Sequence, residues 1–163
     1  MWDVNRAEKA TQTGARWAVA TDILASGLVN YSFAVDGGIL QGEPIPEANF
    51  PGVDCDNAGC TCANGGTCDF DLDADPTAFA ALVDRMNDIK ADIVAANVSV
   101  NYRFSGLGYA GDPNGPDVSP IVTVEVRNLP FTPMIGALLG ISIDIPDLSY
   151  SLTMEDAAGT VSN

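Results

Sequence analysis

Four cysteines fall within one short stretch, Cys55, Cys60, Cys62 and Cys68, in a chain with no histidine. Clustered, even-numbered cysteines in a Gly/Asn-rich loop read as two disulfides, which persist in oxidising compartments. Four thiolates could instead hold zinc, but the C-x2-C knuckles of such sites are absent. Four cysteines allow three pairings, and sequence does not choose among them. Each bridge closing roughly ten residues contributes about 2–3 kcal/mol by the chain-entropy argument. A stapled chain must be exported, yet no signal peptide and no run of ~20 apolar residues is visible. The expectation is that a hydrophobic segment precedes Met1.

At 163 residues the chain suggests one domain. Such a domain buries about 70% of its unfolded surface, so it does not need disulfides merely to fold. Residues 3–25 read as a helix, with Val4, Ala7, Ala10, Gly14, Trp17 and Ala18 at three- and four-residue steps and Ser26-Gly27 as the stop. The stripe of Ala7, Ala10, Gly14, Ala15 and Ala18 is small-sided, which lets another helix or a sheet approach closely. Residues 29–36 suggest a weak strand ended by Gly37-Gly38, and 39–70 a long irregular loop holding the cysteines. A second helix is expected over 76–96. Asp75 is its N-cap, Pro76 its first residue and Asp84, Asp88 and Asp92 its outward row.

Three strands follow. Residues 98–104 alternate, with Val98, Val100, Tyr102 and Phe104 opposite Ser99, Asn101 and Arg103. Residues 106–120 form a turn-rich loop and 121–127 a strand. Residues 129–146 form a Pro- and Gly-broken excursion with one helical turn near 134–139, and 147–156 the last strand. Helices followed by strands predict an α+β fold, two helices on an antiparallel sheet of three or four strands.

The chain carries 22 acidic and 7 basic side chains, a net charge of −15. That excludes nucleic acid as a partner, because phosphates need Lys and Arg to neutralise them. Residues 1–21 hold three basic and two acidic side chains, whereas the remainder holds four and twenty. The first helix is therefore chemically distinct from the body.

Two segments carry a resemblance. DVNRAEKATQTGARWAVATD, residues 3–22, includes the element Gly14-Ala15-Arg16, and residues 122–156 join a Val-rich strand, a Pro-containing apolar excursion and a final amphipathic strand. In order and separation they resemble the TadE-like family of pilin-related proteins of tight-adherence (Flp-type) pili. The resemblance implies a minor-pilin or pseudopilin-like structural subunit. It also implies a transmembrane segment ahead of the first helix, anchorage in the inner membrane facing the periplasm, and partners among other pilin-like subunits and the assembly machinery. Trp2 suits the point where such a span meets water. The face of Val4, Ala7, Ala10, Gly14 and Ala18 is the expected helix interface, with residues 3–13 projecting and 14–25 packing on the subunit.

Asp69, Asp71, Asp73 and Asp75 alternate in CDFDLDAD and resemble the start of an EF-hand loop, which makes calcium the one cofactor to consider. Ala74 and Ala80 stand where that motif needs Gly and Glu. The competing reading is a solvated edge strand leading to the Asp75 cap; a calcium site would draw on Asp54 or Asp56 as well. Asp112, Asn114 and Asp117 form a weaker set, read as turn residues. The alternative function is a secreted or surface-bound adhesin-like binding domain, calcium-dependent or not, with the stapled loop as its contact. No enzyme is expected. Without histidine, Ser/His and Cys/His catalysis is unavailable, and no phosphate-binding Gly loop or marked carboxylate pair is present.

Overall fold

The structure is a computed structural model and describes residues 2–113, 115–131 and 143–154. Among the described residues, three α-helices, α1 (Trp2–Val19), α2 (Ser26–Asn30) and α3 (Pro76–Asn87), accompany seven strands. These are β1 (Val53–Asp56), β2 (Gly59–Cys62), β3 (Val98–Arg103), β4 (Ile121–Val126), β5 (Leu129–Phe131), β6 (Ile143–Ile145) and β7 (Leu148–Thr153). Five strands form one antiparallel sheet in the order β2-β1-β3-β4-β7, and β5 and β6 form a separate hairpin. The fold is α+β as expected, with a fifth strand.

Strict alternation builds the sheet. Val98, Val100 and Tyr102 of β3 and Val122, Val124 and Val126 of β4 point inward and are buried. Their neighbours Ser99, Asn101, Thr123 and Glu125 face out. Helix α1 lies on the inner face over β4 and β7, with α3 beside it. Within the core, Tyr102 is fully buried and its hydroxyl accepts from the Leu24 backbone N–H at 3.1 Å. Burial pushes the Tyr102 phenol well above its ordinary range, so it stays neutral.

Four expectations are corrected. Helix α1 stops at Val19, not at residue 25. Beyond it, Leu24 and Ser26 exchange backbone hydrogen bonds with Asp75 and Asp73, and Ala25 bridges Ala74. These tertiary bonds win over continued helix. The segment 29–36 is not a strand. Residues 26–30 are helical, and Asp36 and Gly37 then donate to the Ser32 carbonyl in a tight turn.

Helix α3 ends at Asn87 rather than at 96, and the Asn87 amide donates to the Ala91 and Ile93 carbonyls. The turn it holds directs Lys90 inward and brings Asp92 back to it, so Asp84, Asp88 and Asp92 do not form one helical row. The stretch 39–70 is not wholly irregular. It supplies β1 and β2, with Val53, Asp54 and Cys55 registered against Tyr102, Asn101 and Val100. The helical turn expected at 134–139 lies outside the described residues.

Both disulfides form within the 39–70 stretch, as Cys55–Cys60 and Cys62–Cys68. Cys55 and Cys60 are directly opposed across the β1–β2 hairpin. The Asp56 carboxylate accepts from the Ala58 N–H and shapes the turn between the strands. Two such bridges place the domain in an oxidising, extracytoplasmic compartment. No described helix is long and apolar enough to cross a membrane.

Candidate functional site

The small-residue face of α1 is spent inside the domain. Ala7, Ala10 and Ala15 are fully buried, Gly14 and Ala18 are buried beside them, and Val4 is half-buried against the core. The expected projection of residues 3–13 is therefore overturned: burial begins at Ala7, because those residues lie against β4, β7 and α3. A side chain at Gly14 would meet Met86, whose sulfur lies 2.6 Å from where a Cβ would stand. Gly14→Leu is expected to cost about 1–3 kcal/mol by overpacking, read as a lower midpoint in urea unfolding. Any loss of assembly in that variant would report the fold and not an interface between subunits.

The polar side of α1 is clasped to the turn after α3. The Arg6 guanidinium donates to the Ile89 carbonyl through Nε at 2.9 Å and Nη2 at 2.5 Å. The Lys90 ammonium is almost wholly buried and pairs with Asp92 at 2.8 Å and Asp3 at 3.4 Å. A buried ammonium needs such partners, since an unpaired charge there is costly. Arg6 also lies over the Trp2 ring at 5.7 Å, and Trp2 itself is 76% exposed. Further along, Arg85 stacks on Trp17 at 4.6 Å. What remains outward on α1 is Asn5, Glu8, Lys9, Gln12 and Arg16.

The acidic segment is solvated but is not an edge strand: it bends at Asp69–Phe70 and pairs only through the isolated Ala74–Ala25 bridge, because it carries no further ladder partner. Asp69, Asp71, Asp73 and Asp75 are exposed while Phe70 is buried and Leu72 and Ala74 are half-buried. Each carboxylate with a resolved role serves the backbone. Asp75 accepts from the Thr77 and Ala78 N–H groups as the N-cap of α3, and Asp71 accepts from the Asp73 N–H. Among the described residues, no three acidic or cysteine side chains converge on a point where a metal ion could sit. Asp54 is engaged elsewhere, with Arg103 at 2.6 Å. Asp117 is buried and accepts from the Phe33 N–H at 2.7 Å and the Asp112 N–H at 2.9 Å, which ties two loops together. Asn114 lies outside the described residues.

One concave feature among the described residues is a site that the sequence did not single out. The outer face of β1–β4 holds an open polar trough of about 470 Å³. Ser99 and Asn101 line it along β3, and the disulfide-held β1–β2 hairpin forms one side. At one end stands the Arg103–Asp54 pair, and Arg103 also donates to the Val53 and Tyr102 carbonyls. At the other end Arg127 pairs with Glu125. Register extends the polar rung through Thr61, Asp54, Asn101, Thr123 and Ser151, across all five strands. The Thr123 and Ser151 hydroxyls are hydrogen-bonded at 2.7 Å. The alternating polar positions of β3 and β4 were legible in sequence. That they share a trough with the Cys-rich stretch depends on the β1–β3 pairing, which carries no local signal.

Comparison with protein-family models, curated proteins and solved structures finds no match for this chain.

Proposed function

We propose that the chain is a structural and assembly subunit, minor-pilin or pseudopilin-like, of a bacterial tight-adherence pilus. One observation supports this above the others. Helix α1 packs on β4 and β7, so the two segments that carry the TadE-like resemblance form one packed unit although they lie at opposite ends of the sequence. Because α1 gives its small-residue face to its own sheet, contact between subunits falls to its outward side, where Lys9, Gln12 and Arg16 stand free of the core. Family members carry a transmembrane segment ahead of this helix, which would hold the subunit in the inner membrane before assembly. Trp2 is exposed at the start of α1, and such a span ahead of it would bring its ring to the headgroup region.

The test is to fractionate cells producing the full-length native protein and to blot inner membrane, soluble periplasm and sheared surface fibres. Signal in the inner membrane with a share in sheared fibres is expected. Signal confined to the soluble periplasm or the medium would sink the pilus reading and favour a secreted binding domain.

A further inference from the structure

We propose that the trough on the outer sheet face is a binding site for a neutral glycan. This inference does not depend on the pilus reading. The trough follows β3 from Arg103 to Ser99, a length of roughly 13 Å at strand spacing, which suits an extended chain of sugar rings rather than a compact ion. Its chemistry disfavours ions and apolar side chains.

An anion would have to compete with the carboxylates that already hold Arg103 and Arg127, and it would enter the field of a chain at −15. A cation would meet those two guanidiniums at the same place. An apolar peptide side chain would find Ser99 and Asn101 where it needs large apolar surface. A sugar hydroxyl both donates and accepts. Here the charge-neutral Arg103–Asp54 and Arg127–Glu125 pairs and the Ser99 and Asn101 side chains offer donors and acceptors together without a net charge.

The stapled hairpin gives the site its second feature. The span Asp54–Asp56 and Ala58–Thr61 lines the trough, and the Cys55–Cys60 bridge joins its two strands. A wall that is already ordered costs little entropy on binding. An open polar cleft of this kind binds weakly, with Kd on the order of 1 mM.

The test is a 15N–1H NMR titration of the 163-residue chain with cellotriose, chitotriose, mannotriose and galactobiose. At least one sugar is expected to shift, saturably, the amides of 54–61, 99–103 and 125–127, with an affinity that changes less than about twofold with added salt. Ser99→Trp, which fills the trough from its solvent side, should weaken that binding at least about tenfold. Asn101→Ala serves as the second variant if Ser99→Trp does not fold, and it should weaken binding severalfold. Absence of these shifts with all four sugars overturns the proposal, as do shifts that survive both substitutions. Salt-sensitive binding of a heparin-derived oligosaccharide at these amides in place of the neutral sugars would overturn it too.

Discussion

Asp117→Ala is expected to lower the unfolding free energy by about 3–4 kcal/mol. The Asp117 carboxylate is buried and holds the backbone N–H groups of Phe33 and Asp112. Removing it strands two buried or half-buried donors, at about 1–3 kcal/mol each. Asp117→Asn keeps one acceptor oxygen and should lose roughly half as much. The measurement is urea unfolding of the three proteins, joined to amide exchange at Phe33 and Asp112. Both amides should exchange faster in the alanine variant than the β3 and β4 amides do. A loss under about 1 kcal/mol would mean that water or a neighbouring group satisfies the donors, and that the two loops are held by packing alone. Packing there is close: a Cβ at Gly111 would stand 2.9 Å from Gln41 and 3.3 Å from Ala34.

Replacing all four cysteines with alanine is expected to cost about 4 kcal/mol, about 2 for each short loop closed. The effect should be uneven across the domain. Strand β2 is an edge strand that touches the sheet only through β1, so the β1–β2 hairpin depends most on the Cys55–Cys60 link. The Cys62–Cys68 link ties the end of β2 to the start of the acidic segment. Hydrogen exchange should therefore accelerate first over 53–62 and 68–75, with β3, β4 and α1 keeping their protection. Equal loss of protection everywhere would show that the stapled stretch is needed for the whole sheet. Reductant added to the native protein should reproduce the variant, because both bridges then open.

Much of the fold can be read from local pattern. The alternation in β3 and β4 identifies both the strands and their inner faces, since period-two burial leaves little choice of register. Asp75-Pro76 marks the start of α3, because an Asx cap followed by proline satisfies the first turn by itself. Clustered cysteines without histidine point to disulfides and so to an oxidising compartment. The exposed-acid, buried-apolar alternation of 69–75 is likewise a property of the local chain.

Other features were decided by residues far apart in sequence. The end of α1 is set where Leu24 and Ser26 meet 73–75, and the end of α3 where Lys90 finds Asp3 and Asp92. Strands β1 and β2 are four residues each and rich in Asp, Gly and Cys, which have little strand preference of their own. They are strands because β3 offers an unpaired edge. The Ala/Gly stripe shows the same division. Its spacing announces a close approach, but the partner is this domain's own sheet and Met86, because burying that face within one chain avoids the entropy of bringing two chains together. The trough exists only after β1 joins β3. In β3, β4 and the acidic segment the sequence alone determines which residues face inward and which outward; tertiary contacts determine it for α1 and Lys90, and decide which outward residues become neighbours.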